Sequence, residues 1–389
     1  MNLSLYFKKF FNSSQFSGIL LILCVAISLL IANSSSSESF QLFLDKKIGT
    51  SVFHLEYPIS VWINDGLMAV FFLLVGLEIK REIIEGELSS FKNASLPIFA
   101  AVGGMIVPAA IFTIFNSGTP YENGWGIPMA TDIAFSLAII SMLGSRIPNS
   151  IKIFLAALAI VDDLGAILVI AIFYTDQIHW IYLLLSLGIT TLLFILNFLK
   201  VKKLIFYIIP GLFLWYFLHH SGIHATIAGV LLAFSIPTNE SNTEMSPLEK
   251  LEHHLHFPVS FLIMPVFALA NTNITFKNGM VDGLTNTLGL GIICGLILGK
   301  LIGINLFSFL AIKLKISSLP QNSSWLQMIG VGCLAGIGFT MSIFIALLSF
   351  KTEIQIQDEA KFAILIASFL SALLGFIILK ASSKKFSGN

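Results

Sequence analysis

The sequence predicts an all-α polytopic membrane protein of twelve transmembrane helices arranged as inverted-topology repeats, with the fourth and eleventh helices broken at mid-membrane and a short outer β-hairpin. Three observations predict it. Hydrophobic residues make up 56% of the 389 residues, charged ones only 11%, and the mean hydropathy is +0.90, whereas a soluble domain carries about 25% charged residues. Apolar stretches of membrane-crossing length recur along the chain. Two of them are interrupted by glycines, joined in the fourth by a proline beside an acid. Net charge is +1 and the pI about 7.7, which lacks the basic excess that draws a domain onto nucleic acid. Cys24, Cys294 and Cys333 lie in apolar runs without metal-ligand spacing and read as packing residues.

Crossing roughly 30 Å of hydrocarbon takes about 20 helical residues. Twelve stretches qualify: 16–33, 60–84, 95–116, 122–143, 150–174, 179–199, 204–219, 222–236, 254–271, 284–312, 325–349 and 358–380. The seventh and eighth are short, and only residues 219–222 separate them, so they read as a tight helical hairpin. Lys8 and Lys9 ahead of the apolar run 19–32 and a serine tract also fit a cleavable signal peptide. Membrane character continues beyond it, which favours a retained first span.

Basic residues at the loops set the orientation. With the N-terminus in the cytoplasm, sixteen fall inside: Lys8, Lys9, Lys80, Arg81, Lys92, Arg146, Lys152, Lys200, Lys202, Lys203, Lys250, Lys313, Lys315, Lys380, Lys384 and Lys385. Five fall outside: Lys46, Lys47, Lys277, Lys351 and Lys361. Both termini are therefore expected in the cytoplasm. Lys300 alone sits within an apolar segment, the tenth, where an ammonium is costly and faces a cavity or a partner.

Asp132 in the fourth segment, and Asp162 and Asp163 in the fifth, are the second anomaly. The plainest reading is an ion-pair staple, one acid neutralising Lys300. Three acids against one base exceed what a staple requires. Adjacent helical residues point about 100° apart, so Asp162 and Asp163 cannot share a face: one can line an ion path while the other reaches a neighbouring helix.

Gly124, Gly126 and Pro128 interrupt the fourth segment, and Gly330, Gly332, Gly336 and Gly338 the eleventh. Non-helical backbone survives at that depth only where protein or a cavity satisfies its polar groups. Close helix packing through small residues is the alternative for the eleventh. The interrupted segments are the middle members of triplets three to five and ten to twelve and cross in opposite senses, as inverted repeats do.

The runs WINDGLMAVFFLLVGLEIKRE (62–82), ATDIAF (130–135), VDD (161–163), GIHATIAG (222–229) and LEH (251–253) resemble the NhaA family of sodium/proton antiporters, the match extending from about 58 to 350. That family is itself one of the known cases of inverted repeats with broken helices, so the resemblance carries this architecture. It implies pH-regulated, electrogenic exchange of cytoplasmic sodium or lithium for external protons across a bacterial inner membrane, with no cofactor beyond the transported ions. It implies that Asp162 and Asp163 carry cation and proton and that Thr131 lies beside them. The chemistry agrees: sodium wants oxygen ligands, and carboxylate, hydroxyl and carbonyl are what these segments offer. Deprotonated aspartates take sodium inside, release it outside, and return protonated.

For Asp132 and Lys300 the resemblance implies a different role. Two broken helices expose four half-helix ends, each with about half an elementary charge, which an acid and a base offset. Pairing of Lys300 with Asp163 is the other version. By the same resemblance Glu78, Arg81 and Glu82 on the second segment, with Glu252, His253 and His256 before the ninth, form a pH sensor, histidine titrating in the right range. A solvated charged helix end is the plainer alternative. Glu249 departs from the basic residue more familiar there, and His224 reads as a packed, hydrogen-bonded side chain. The core bundle is expected from about 95–174 and 284–380, and the remaining helices as an interface panel.

Residues 40–44 and 51–57 flank Lys46, Lys47, Ile48 and Gly49 and read as the strands of a short hairpin. The resemblance implies that this outer segment, 34–57, pairs across a homodimer surrounded by membrane lipid. Two other functions use membrane aspartates. An intramembrane aspartic protease needs them on different helices, and a passive cation channel would run down either gradient alone.

Overall fold

The computed structural model describes residues 3–175, 177–238, 245–276 and 280–382; the side chains of Lys8 and Lys9 and the whole of Lys277, Lys384 and Lys385 lie outside that description. In chain order the helices are α1 (Leu3–Ala32), α2 (Ser37–Asp45), α3 (Ile59–Ile84), α4 (Phe91–Asn116), α5 (Ile133–Met142), α6 (Asn149–Phe173), α7 (Trp180–Phe198), α8 (Ile205–Ser221), α9 (Ile227–Ser235), α10 (Pro247–Asn271), α11 (Thr287–Lys313), α12 (Trp325–Ala335), α13 (Phe339–Ser349) and α14 (Ile354–Ser382). The protein is mostly helical. Among the described residues, eight spans are long and apolar enough to cross a membrane, and ten if each of two bent pairs is one span. The predicted seventh stretch is the shorter apolar helix α8, and the eighth contains only the nine-residue α9, about 14 Å long at 1.5 Å per residue. A break over residues 222–226, opened by Gly222 at φ +90°, separates them.

The chain divides into two compact units, one of residues 1–23, 87–166 and 274–389, the other of 24–86 and 167–273. In the first, α4 lies against α11 at backbone distance, because a Cβ on Gly303 would strike the Gly103 carbonyl and one on Gly103 the Gly303 carbonyl. That contact sets the height of Lys300 on α11. A π-helical turn, Gly295–Gly299, stands immediately before Lys300 and re-aims the side chains that follow it.

The fourth predicted span is a 3₁₀ stretch, Glu122–Met129, that opens into extended backbone at Ala130 (ψ 148°) and Asp132 (ψ 100°) before α5 begins. The break thus falls after Pro128, not at Gly124 or Gly126. Asp132 causes the restart, its carboxylate accepting from the Phe135 N–H at 3.0 Å as a helix N-cap. The eleventh span breaks between α12 and α13 with a bend of 43°. Gly336 and Gly338 lie at that break, but Gly330 and Gly332 do not. Those two are inside α12, where a Cβ would stand 2.7 Å from Leu379 and 2.6 Å from Asn305. The small-residue packing alternative holds for them.

In the second unit the core gathers Leu77 from α3, Leu193 from α7, Tyr207, Leu214 and Leu218 from α8, Leu232 and Ala233 from α9, and Leu248 from α10. The outer hairpin is present with different strands from those predicted: β1 (Lys47–Ile48) pairs antiparallel with β2 (Tyr57–Pro58), Lys47 opposite Pro58 and Ile48 opposite Tyr57. Residues 40–44 belong to helix α2 instead. Phe40, Phe43 and Leu44 recur at helical spacing, and Glu38 in the first turn suits the positive helix end. Residues 51–53 form a 3₁₀ turn capped by the Thr50 hydroxyl.

Candidate functional site

Asp162 and Asp163 lie near the middle of α6, about 20 Å from its start at 1.5 Å per residue, and are 0% and 1% exposed. Sharing one helix, they lack the facing geometry of an aspartic protease. Lys300, fully buried, donates from Nζ to Asp162 Oδ2 at 2.5 Å. Of the partners open to Lys300, the hydrogen bond goes to Asp162. Thr131, in the extended break before α5, places Oγ1 2.7 Å from the same Oδ2 and 2.8 Å from the Ala335 carbonyl. Asp162 Oδ1 is buried and accepts no hydrogen bond from any of the described residues. A buried ion pair is weak evidence of stabilisation, since desolvation offsets the attraction. Here the pair has a second acid adjacent in sequence and shares the Thr131 hydroxyl with the end of α12.

Asp132 is 1% exposed and serves two helix starts at once. Oδ1 accepts from Phe135 N at the head of α5, and Oδ2 accepts from Thr340 N at 3.1 Å and Thr340 Oγ1 at 2.5 Å at the head of α13. Its own N–H donates to the Ile337 carbonyl at 2.7 Å. Each helix start carries about half a positive charge, so the two together match one carboxylate. Sequence reasoning missed Thr340 and the carbonyls of Ala335 and Ile337. A hydroxyl residue two positions after Gly338 was the available signal for Thr340. Carbonyls leave no mark in a sequence.

The predicted pH cluster divides. Arg81 Nε donates to Glu252 at 3.1 and 3.0 Å, and Arg81 also pairs with Glu82 at 2.9 Å. Glu78 lies within electrostatic reach of Glu252, Arg81 and Glu82. His256 is half-buried, whereas His253 stands exposed with its ring 6.2 Å from that of His254. Just past α3, Glu85 has its carboxyl raised above the ordinary range by partial burial and then by the charge of Glu249, with Arg81 opposing. Glu249 acts locally in a capping box with Ser246, its carboxylate accepting from Ser246 N at 2.7 Å while its N–H donates to Ser246 Oγ at 3.1 Å. His224 bonds the Thr226 hydroxyl at 2.8 Å and lies 3.5 Å from Asp65, as a packed polar side chain does.

The family model described as Na+/H+ antiporter 1 matches residues 8–379. The chain is 59% identical to a protein named Na(+)/H(+) antiporter NhaA 2 from Flavobacterium johnsoniae, over 97% of this chain and 93% of that one. It is 52% identical to the Na(+)/H(+) antiporter NhaA of Flavobacterium psychrophilum, over 98% and 97%. With the one from Dechloromonas aromatica the identity is 50%, over 96% and 95%.

Proposed function

This chain belongs to the Na+/H+ antiporter 1 family, and from that premise we propose that it exchanges sodium for protons through the buried carboxylates of Asp162 and Asp163. The observation that carries the reading is the placement of Asp162, fully buried, against an ammonium, a hydroxyl and a broken helix end. The transported ions are the substrates. With the carboxylates ionised, the oxygens of Asp162, Asp163 and Thr131 suit sodium, a hard cation; with protons bound, they do not. One set of oxygens therefore holds either ion and never both. Asp132 offsets the exposed starts of α5 and α13, and Lys300 balances Asp162 when sodium is gone. Exchange is electrogenic, and lithium follows the path of sodium.

The same reading has twelve crossings in the membrane, with α8 and α9 as the seventh and eighth, and relates helices three to five to ten to twelve as inverted repeats. The breaks before α5 and before α13 support it. The ion-binding core takes residues 95–174 and 284–380, with the rest as the interface panel; the location of Thr131, Asp132, Asp162, Asp163, Lys300 and Thr340 within one compact unit supports that division. The location is a bacterial inner membrane with both termini cytoplasmic, supported by the lysine and arginine bias. Two copies pair through the 34–57 segment, and Glu78, Arg81, Glu82, Glu252, His253 and His256 adjust activity to pH.

Proteoliposomes test the function. Sodium efflux that acidifies or alkalinises the lumen in obligatory exchange is the expected result. Sodium flux that proceeds without proton movement would make the protein a channel.

A further inference from the structure

Thr131 Oγ1 stands between two oxygens, 2.7 Å from Asp162 Oδ2 and 2.8 Å from the Ala335 carbonyl. A hydroxyl has one hydrogen and two lone pairs. While Asp162 is an anion both neighbours are acceptors, and only one can have the hydrogen. Charge-assisted hydrogen bonds are roughly twice as strong as neutral ones, so an empty carboxylate takes it. Ala335 is the last residue of α12, where carbonyls run out of intrahelical donors. It is therefore the oxygen that goes short.

Loading reverses the choice. A proton on either carboxyl oxygen removes the charge that favoured Asp162, leaving the Ala335 carbonyl the better acceptor, and a sodium ion on the carboxylate is held by a Thr131 lone pair. In both cases the Thr131 hydrogen is released to Ala335. No covalent bond to hydrogen breaks at Thr131; the hydroxyl rotates about its Cβ–Oγ bond. Lys300 cannot replace it as the reader of occupancy, because an ammonium only donates and bonds Asp162 Oδ2 at 2.5 Å. Asp132 cannot either, its oxygens being held by Phe135 and Thr340.

We propose that the Thr131 hydroxyl is an occupancy gate, which satisfies the Ala335 carbonyl at the broken end of α12 when Asp162 carries either ion and withdraws from it when the site is empty. An exchanger requires that property, since the loaded carrier must cross in both directions and the empty one must not. The proposal rests on the reading of Asp162 as the ion carrier.

The test is a double-mutant cycle on the full-length protein, read by hydrogen exchange of residues 333–340 in sodium-free buffer alkaline enough to ionise Asp162. Asp162→Asn, which removes the charge, stands in for the loaded state. It should protect the break about fivefold more than wild type, the factor that one hydrogen bond of ordinary net strength is worth. The same gain is expected in Thr131→Ser, which keeps the hydroxyl, and none in Thr131→Val, or in Thr131→Ala should the valine variant fail to insert. An equal gain without the hydroxyl, or no gain with it, overturns the gate. Proteoliposomes separate the two ideas: exchange retained by Asp162→Asn defeats the ion-carrier reading itself, whereas an inactive Asp162→Asn with an additive cycle removes only the gate.

Discussion

Two clusters of charge, each built on an acid–base pair, differ in how far water reaches them. In the proposed ion site Lys300 and Asp162 are both 0% exposed, while at the end of α3 the side chains of Arg81 and Glu252 are 35% and 17% exposed. A part-buried pair keeps some contact with water, so a change of charge there costs less than in a dry one. A dry pair is costly to assemble and severe to break, because removing one partner strands the other. Under the proposed mechanism the difference separates transport from regulation: chemistry that must change charge with every cycle sits in the dry cluster, and chemistry that adjusts activity sits where water still reaches.

The largest expected effect is in the dry cluster. Asp162→Asn or Asp163→Asn should abolish exchange in proteoliposomes while the protein still inserts, because an amide cannot alternate between anion and neutral acid. Exchange retained in both would put the carrier elsewhere. Next comes Asp132→Ala, which strips the caps from α5 and α13 together. At about 1 kcal/mol per cap, thermal unfolding in detergent should show a loss of about 2 kcal/mol. An unchanged melting temperature would mean that neither helix start depends on this carboxylate.

In the wet cluster the effects are smaller and of another kind. Changes at His253 and His256, or at Glu78 and Glu252, should move the pH profile of exchange and leave its maximum. Unchanged profiles would return these residues to a solvated helix end. The smallest effect belongs to Glu85. Its carboxyl is raised in the folded protein, so the fold gains from its protonated form: that stability is full below the ordinary carboxylate pKa and is lost as pH rises through the raised one. Glu85→Gln should therefore raise the melting temperature slightly at neutral pH and leave it unchanged in acid. A gain at acid pH instead would reverse the sign assigned to Glu249.

Much of this contrast was legible in the sequence, because ionisable residues inside apolar runs are conspicuous: Asp132, Asp162, Asp163 and Lys300 all announce themselves by what surrounds them. Helix breaks were legible as regions but not to the residue. Gly330 and Gly332 look like breakers and serve as packing surfaces, whereas the fourth span opens after Pro128, where Asp132 captures an N–H that the helix would otherwise use. The partner of Lys300 was not legible, since α11 and α6 meet only through the fold. Nor were the carbonyls of Ala335 and Ile337, for every residue has one. The strands of the outer hairpin were not legible, because a two-residue strand has no pattern of its own and the helical spacing of Phe40, Phe43 and Leu44 runs straight into the turn residues that follow.

Sodium and protons sharing one set of carboxylates is the claim on which the rest depends, and sodium binding by calorimetry across pH tests it most directly. Linkage makes the two ions reciprocal: protonation weakens sodium binding, and sodium drives protons off. Neighbouring acids titrate together, so the slope belongs to the pair and not to either residue. Below the relevant pKa, each competing proton should weaken apparent sodium affinity about tenfold per pH unit, with proton release counted in buffers of different ionisation enthalpy. An affinity that stays flat from acid to alkaline pH, with no protons released, would mean separate sites for the two ions and would contradict the shared-carboxylate mechanism, even in a protein that exchanges them.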